Sequence, residues 1–505
     1  MGSLRVLLID VYRVSLDTSK DMVEYPLGLL YIATSLKRAF GEKVSVRIEL
    51  YNDRSDSLEK VERLLKEFSP DVLGLRALTM GRIPFHQIAT LAKKKYLIPL
   101  IVAGGPHATD SPEDVLENGS FDGAVLGEGE DTAVELVSCV LKHKPFDSVK
   151  GLALRDSRGE VVRSVRSPIA HLDAIPIPDH RLVDFRKMTS GFVDFSFRID
   201  VPHANVFTSR GCPYHCIYCH HIFGKQFRAH SPARIMEEIK ELYEAYGITH
   251  FQILDDIFNV DRNRALEFFS RVVRSGLPLV LSFPNGLRGD CVDKELIDAM
   301  WEAGVRYISY AVETGSPRIQ DLIQKNLKLD RILEAIALTT ARGIVTRGFF
   351  MLGFPTETKE EALMTIDYAK SSDLVLAMFF AVVYFPGTPL FRLAQRFYDM
   401  SHYKLGLEDD YVCTREGPYA FSRETLDELK LKAIREFYFS HKRIRMFFDM
   451  MPNFYSQQDI DASILVNIIS GMMKEKDVEN SDDAGRLHRY FIIADRFSKK
   501  SGFFV

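Results

Sequence analysis

The stretch Arg210-Gly-Cys-Pro-Tyr-His-Cys-Ile-Tyr-Cys219 holds three of the six cysteines of this chain within eight residues. Cys212, Cys216 and Cys219 have the spacing C-x3-C-x2-C, which suits three thiolates that wrap one corner of a cubane cluster from a single short loop. A [4Fe–4S] cluster has four ligand positions, so three cysteines leave one iron with an exchangeable position. Unrelated buried thiols rarely show this spacing, and zinc is disfavoured because no second Cys/His pair follows at finger spacing. The spacing by itself therefore predicts a site of three thiolates.

The same loop resembles the cluster motif of radical S-adenosylmethionine (SAM) enzymes, including an aromatic residue, Tyr218, directly before the third cysteine. The resemblance implies that the open iron chelates the amino and carboxylate groups of SAM. It also implies that one electron from the cluster cleaves SAM into methionine and a 5′-deoxyadenosyl radical. We therefore expect an electron donor such as a flavodoxin or a ferredoxin.

Length and composition limit the remaining possibilities. A chain of 505 residues is expected to form roughly two to four domains. Lys and Arg number 65 against 69 Asp and Glu, so no general attraction to nucleic acid or to an anionic membrane is expected. The absence of an uninterrupted apolar run of about 18 residues predicts no transmembrane segment. Cys139, Cys291 and Cys413 are isolated from one another, which argues against disulfides and favours a reducing, cytoplasmic location.

Residues 1–144 alternate short apolar runs with amphipathic ones, in the order βαβαβαβαβα. This pattern predicts an α/β domain with a doubly wound, Rossmann-like parallel sheet, whose ligands bind at the carboxyl ends of the strands. Without a G-x-G-x-x-G after the first strand, a dinucleotide site is not indicated. Small residues and glycines in the loops at these ends let a flat ligand approach the backbone closely. The candidate binding residues there are Thr79, Gly104, Gly105, His107, Glu128 and Gly129.

This half resembles the cobalamin (B12)-binding domain that precedes many radical SAM cores, through the loops Gly104-Gly-Pro-His-Ala-Thr109 and Gly127-Glu-Gly-Glu130. The D-x-H-x-x-G motif, whose histidine ligates cobalt in other B12 proteins, is absent. The resemblance therefore implies cobalamin with its lower face open, and it makes His107 a structural or tail-contacting residue rather than a cobalt ligand. The alternative is a flavodoxin-like scaffold that binds no cofactor.

Residues 145–203 are expected to form a connector, with a hairpin around the turn Asp156-Ser-Arg-Gly159 followed by a proline-rich extended arm. Residues 204–395 then repeat a longer βα unit six times. This repetition predicts a partial (β/α)6 barrel of the TIM type, which is the fold that the radical SAM resemblance implies. Reactive residues in such barrels lie at the carboxyl ends of the strands.

Polar residues cluster at these predicted strand ends. The candidate SAM-binding residues are Tyr218, Asp255, Asp256, Asn285, Glu313, Ser316, Arg347 and Gly353. The resemblance implies that Glu313 accepts hydrogen bonds from the ribose hydroxyls of SAM. It also places Asp255 and Asp256 where the family has a Gly-Gly-Glu segment that holds the methionine amino group, and it leaves open which aspartate makes the contact. Helix caps are the alternative for the aspartates and Ser316, and a salt bridge is the alternative for Arg347.

Residues 396–505 are helical in pattern and rich in aromatic residues and methionine, for example Phe437-Tyr-Phe439, Met446–Met451 and Phe454-Tyr455. Such stripes are more typical of a core or a lid than of a cofactor site. The interspersed arginines Arg435, Arg443 and Arg445 would suit an amphipathic substrate or a lipid surface.

Our leading hypothesis is a radical SAM enzyme that methylates an unactivated carbon of a small-molecule substrate with the help of cobalamin. A second hypothesis keeps the cluster and SAM but has a cyclisation, ring rearrangement or oxidation as its outcome. A third makes the chain a sensor or assembly protein that uses B12 and the cluster structurally. All three follow from the resemblance and not from composition or spacing alone.

Overall fold

The computed structural model describes residues 3–12, 25–53, 55–188, 192–194, 197–199, 201–220, 222–401, 403 and 419–450. Cys413 and the aromatic pair Phe454-Tyr455 lie outside these residues. Among the described residues, no helix combines the length and the apolar character needed to cross a membrane.

Seven strands form the first sheet. They are β1 (Leu4–Tyr12), β2 (Val44–Asn52), β3 (Val72–Ala77), β4 (Leu100–Gly104), β5 (Gly123–Val125), β6 (Leu152–Arg155) and β7 (Val161–Arg163), in the spatial order β2-β1-β3-β4-β5-β6-β7. The first five strands pair in parallel, and the order reverses beside β1, as the doubly wound prediction requires. The hairpin β6–β7, which we placed in the connector, pairs antiparallel with β5 and extends this sheet.

Six helices cover the first sheet: α1 (Leu27–Phe40), α2 (Leu58–Phe68), α3 (Arg82–Lys94), α4 (Gly105–Asp110), α5 (Pro112–Leu116) and α6 (Glu130–Leu141). Successive residues of a strand point to opposite faces, so β1 sends Val6 and Leu8 into one core and Leu7, Ile9 and Val11 into the other. Burial on both faces explains why these strands are continuous apolar runs in the sequence.

A short helix α7 (Phe185–Met188) and an antiparallel pair, β8 (Phe192–Asp194) and β9 (Phe197–Ile199), lead to the second sheet. Its six strands are β10 (His203–Val206), β13 (His250–Ile253), β14 (Val280–Leu287), β15 (Val305–Glu313), β16 (Val345–Leu352) and β17 (Leu376–Ala381). They are parallel and lie in sequential order, which confirms the six-stranded partial barrel. Two short strands, β11 (Ser209–Arg210) and β12 (Arg228–Ala229), pair on either side of the cysteine loop.

The remaining helices are α8 (Pro232–Tyr246), α9 (Arg262–Ser275), α10 (Lys294–Glu302), α11 (Pro317–Leu322), α12 (Leu329–Arg342), α13 (Lys359–Ser371), α14 (Pro389–Ala394), α15 (Arg423–Tyr438) and α16 (His441–Met450). Tyr438 of α15 bonds both the amide and the carbonyl of Ala377 in β17. Arg443 of α16 is buried and donates to the carbonyl oxygens of Lys370 and Ser372. These bonds fasten the two C-terminal helices to the barrel, so Arg443 serves packing and does not face a surface.

Candidate active site

The three cysteines of the motif lie in the loop between β11 and β12, over the end of β10. Their thiols are free, and that of Cys219 donates a hydrogen bond to Cys216. This bond lowers the pKa of Cys216 to about 6 and raises the pKa of Cys219. Iron is bound by thiolates, and three free thiols within one short loop supply the three protein ligands that a cluster with one open iron needs.

The backbone of this loop is held from several sides. Gly211 has φ +83°, and a Cβ there would lie 2.3 Å from the Gln226 carbonyl oxygen, so only glycine fits. Ile217 donates its amide to the Ile323 carbonyl and accepts from the Leu390 amide. The loop is therefore fixed against the end of α11 and the start of α14.

Glu313 lies at the end of β15 in a left-handed conformation, φ +72°, and is buried. The Tyr218 hydroxyl donates to its Oε1 at 3.0 Å, and the Lys325 ammonium lies 3.2 Å from the same oxygen and 3.1 Å from the Tyr218 hydroxyl. Burial opposes the charge of Lys325, but Glu313, Cys216 and Cys219 outweigh it and raise the Lys325 pKa. The structure thus brings two of the candidate residues, Tyr218 and Glu313, into direct contact and adds a cation beside the cysteines.

Sequence reasoning missed Lys325. It lies between α11 and α12 in a turn whose flanking residues, Gln324 and Asn326, have φ of +54° and +50°. That turn brings the ammonium back toward β15, twelve residues after Glu313. A lysine in a loop carries no signal of such a return in the sequence.

The two adjacent aspartates after β13 occupy different environments. Asp255 is buried and accepts from the Thr208 amide, the Thr208 hydroxyl and the Ser209 hydroxyl at 2.6, 2.5 and 2.6 Å. Asp256 is accessible from the cavity between the sheets and accepts from the Gly211 amide at 3.3 Å. Desolvation and then the charge of Asp255 raise the pKa of Asp256 to about 6. Of the two aspartates, only Asp256 lines the cavity.

Six of the eight SAM-binding candidates do not line that cavity: Tyr218, Asp255 and Glu313, described above, and Ser316, Arg347 and Gly353. Ser316 caps α11 and donates to Glu361, which matches the helix-cap alternative. Arg347 is 0% exposed and donates to the Ser309 hydroxyl and the Pro284 carbonyl. Gly353 donates its amide to Glu357. Asn285, by contrast, lines the cavity and donates to the Leu254 carbonyl.

A cavity of about 350 Å³ separates the carboxyl edges of the two sheets. Four of the predicted cobalamin-binding residues line it, namely Gly104, Gly105, Glu128 and Gly129. Asp256 and Asn285 line it from the barrel side. The cavity also penetrates between β1, β3, α1 and α6, where Val6, Leu8, Gly74 and Val137 form its apolar walls. Both sheets therefore present their carboxyl ends to one shared space.

The glycines of this cavity leave room for a large, flat ligand. A Cβ on Gly104 would meet only the Leu75 carbonyl oxygen, at 4.0 Å, so its side faces open space. At Gly129 the reason for glycine is internal packing, because a Cβ there would lie 2.9 Å from Ile32 Cδ1. A cleft built from backbone, with a deep apolar arm, fits a corrin ring and its nucleotide tail.

Thr79 and His107 do not line the cavity. Thr79 begins a turn ahead of α3, and His107 is 1% exposed on the opposite side of its loop. The His107 ring packs against Phe85 and lies 3.0 Å from Asp114. The structure therefore directs this histidine away from the space where cobalt would lie.

Buried ion pairs connect the first sheet to the cysteine loop. Arg210 lies 2.5 Å from Glu130 and 3.7 Å from Glu128, and Arg228 lies 2.6 Å from Glu128. The two arginines are direct neighbours across β11 and β12. The signal in the sequence was the pair of acids in Gly127-Glu-Gly-Glu130, which have no basic residue nearby in the chain. Glu128 thus links the first sheet to the cysteine loop through its ion pairs with Arg210 and Arg228, and it also lines the cavity.

Comparisons with known proteins agree with this geometry. The Radical SAM superfamily model matches residues 206–369, and the B12 binding domain model matches residues 17–137. An uncharacterised methyltransferase of Pyrococcus horikoshii is 33% identical over 374 residues, which cover 73% of this chain and 78% of the relative. Cytidylyl-2-hydroxyethylphosphonate methyltransferase of Streptomyces wedmorensis is 29% identical over 82% of this chain and 86% of its own length.

The fold is shared with a solved structure. The radical SAM methyltransferase TsrM of Kitasatospora setae, with cobalamin and a [4Fe–4S] cluster bound, superposes with a TM-score of 0.66 over 78% of both chains at 19% identity. As an enzyme of the radical SAM class, the chain uses a [4Fe–4S] cluster, SAM and cobalamin and acts on a small molecule with the help of a reductant. The chain belongs to the radical SAM enzymes that carry a B12-binding domain ahead of the radical SAM core.

Proposed function

We propose that this enzyme methylates an unactivated carbon atom of a small-molecule substrate. The observation that carries the proposal is the shared cavity, because Gly104 and Gly129 of the first sheet face Asp256 and Asn285 of the barrel across one space. A methyl donor and a hydrogen-abstracting group must both reach the same substrate carbon. A cavity lined by both strand edges meets that requirement.

The cofactors supply the hard steps: SAM on the cluster supplies hydrogen-atom abstraction, and cobalamin supplies a transferable methyl group. Cys212, Cys216 and Cys219 would hold the cluster. Gly104 would leave space for the corrin. The protein's own part is to bind, orient and exclude water.

Glu313 and Asp256 would orient SAM. Oε1 of Glu313 is engaged by Tyr218 and Lys325, so Oε2 is the oxygen left to accept from ribose hydroxyls. Asp255 has its oxygens engaged by Thr208 and Ser209, so Asp256 is the aspartate that would receive the methionine amino group. The roles of Tyr218 and Asn285 would be to buttress these contacts.

Water is excluded by apolar side chains on the barrel side of the cavity, among them Phe207, Ile222 and Phe223. Exclusion matters because a carbon radical is quenched by competing reactions in an open site. An amphipathic substrate would suit walls that combine these rings with Asp256 and Asn285. We further propose a flavodoxin or ferredoxin as reductant and the cytoplasm as location, supported by the free thiols of the described cysteines.

The test needs no knowledge of the substrate. The anaerobically reconstituted holoenzyme, reduced and incubated with methyl-deuterated SAM, is expected to yield cobalamin that carries the deuterated methyl group by mass spectrometry. Formation of 5′-deoxyadenosine with unlabelled cobalamin would instead support cyclisation, rearrangement or oxidation without methyl transfer. Absence of both products would support a sensor or assembly role.

A further inference from the structure

A second cluster of potential metal ligands lies behind the cobalamin wall. His86 of α3, His107 of α4 and Asp114 of α5 place one ligand atom each within 4.8 Å of one another. Asp114 Oδ2 lies 3.0 Å from His107 Nε2 and 3.4 Å from His86 Nε2. None of the three residues lines the shared cavity.

The burial of His107 calls for a partner. His107 is 1% exposed, its Nδ1 has no hydrogen-bond partner within the described residues, and its Nε2 lies 3.0 Å from the Asp114 carboxylate, with which it pairs when that nitrogen carries a proton. Buried polar atoms without partners are rare because each costs desolvation free energy. A cation between Nε2 and the carboxylate would satisfy both lone pairs at once.

The two separations that start from Asp114 Oδ2 suit a tetrahedral ion. Ligand bonds of about 2.0–2.1 Å at tetrahedral angles put neighbouring ligand atoms about 3.3 Å apart. The two measured separations from Asp114 Oδ2 lie on either side of that value. The Asp114 side chain is 44% exposed, which leaves an entry path and room for a water as fourth ligand.

We propose that His86, His107 and Asp114 form a binding site for a divalent cation of the zinc class. Two imidazoles and one carboxylate are the ligands that zinc accepts when three protein ligands leave one position open. The histidines disfavour Ca²⁺ and Mg²⁺, which prefer oxygen ligands throughout.

The ion would brace the cobalamin wall. His107 stands two residues after Gly105, which lines the cavity, and α4 is further tied to the neighbouring loop because the Gly127 amide donates to the Thr109 hydroxyl at 3.0 Å. Linking α4 to α3 and α5 through a metal would hold both glycine loops in place. This second step rests on the proposed cobalamin site, whereas the metal site stands without it.

The metal site is tested on the full chain with its cluster reconstituted, after treatment with a chelator and one equivalent of Zn²⁺. We expect one tightly held zinc per chain, with only nitrogen and oxygen neighbours at about 2.0–2.2 Å in X-ray absorption. Sulfur neighbours at about 2.3 Å would place the zinc on the cysteines and overturn the proposal. So would failure to retain zinc.

Variants give an independent measurement. His86→Ala and Asp114→Asn are each expected to weaken zinc at least about tenfold, whereas His171→Ala, an exposed histidine elsewhere in the chain, is not. Equal affinity in all three variants would refute the site. For the brace, zinc-loaded wild type should retain more cobalamin after gel filtration than chelator-treated protein. Equal retention would refute the proposal that the metal ion stabilises the cobalamin wall. The metal site itself would then be judged by the X-ray absorption result alone.

Discussion

The two edges that face each other across the cavity are built by different means. On the barrel edge, charged side chains are engaged by specific partners: Asp255 by Thr208 and Ser209, and Glu313 by Tyr218 and Lys325. On the edge of the first sheet, glycine is the commonest residue in the two lining loops, 104–106 and 127–130, and the rest of the lining is mainly apolar. A charged ligand such as SAM is positioned by side chains, whereas a corrin is accommodated by the absence of side chains. Because the two edges differ in this way, substitutions can disrupt each of them separately.

The largest effect is expected at the cysteine loop. Replacement of Cys212, Cys216 or Cys219 by alanine should abolish cluster binding, because the remaining two thiolates cannot hold the cubane. Iron analysis and 5′-deoxyadenosine formation are the measurements. Cys139→Ala and Cys291→Ala are the controls, and an equal loss of iron in either would contradict a three-cysteine site.

The second-largest effect is expected for the buried ion pairs that join the two edges. Arg210→Met leaves Glu130 buried without its 2.5 Å partner, so the free energy of unfolding should fall by about 3–5 kcal/mol. The exposed pair of Arg181 with Asp179 provides the control, since Arg181→Met should leave the free energy of unfolding almost unchanged. Denaturant unfolding measures both. Similar losses in the two variants would mean that the buried pairs do not link the domains.

Glu313→Gln tests the barrel edge. It keeps the size of the side chain but removes a charged acceptor, which should weaken SAM binding by about 1.5–3 kcal/mol while iron content stays unchanged. Equilibrium binding of SAM to the reconstituted protein is the measurement, and Glu360→Gln, on the exposed side of α13, is the matched control. Unaltered SAM affinity would return Glu313 to a structural role.

Gly104→Leu tests the glycine edge. Because a Cβ at this position faces the cavity and meets no side chain, the larger residue should fill cofactor space without disturbing the fold. Cobalamin binding should weaken at least about tenfold, which corresponds to about 1.4 kcal/mol, while SAM binding persists. Gly104→Ala should give a smaller effect. Loss of both cofactors would show that the two edges are not independent.

No change is expected in the cobalt spectrum of His107→Ala. The imidazole lies on the far side of its loop against Phe85, so the Co(II) form of the wild type should show no nitrogen splitting in electron paramagnetic resonance. Splitting that vanished in the variant would place His107 on cobalt and contradict the structure.

Much of the fold follows from local patterns. The six barrel strands match the six βα units predicted for residues 204–395, and the first five strands of the other sheet match the five predicted for residues 1–144. The hairpin was also predicted, but its pairing with β5 was not, because strand partners are chosen by contacts between segments distant in sequence. Ser316 behaved as the helix cap that its neighbours in the sequence allowed.

By itself the sequence determined the α/β periodicity of the two sheets, and it predicted the cysteine site and the glycines of the cofactor loops, because each depends on residues close together in the chain. Only the tertiary structure decided which of Asp255 and Asp256 faces the cavity, that Lys325 returns to Glu313, and that Arg210 meets Glu130. The side chains of adjacent residues point in different directions, and buried charges pair with residues from segments that are distant in sequence. These outcomes therefore depend on packing. The same reason turned His107 away from the cavity and toward His86 and Asp114.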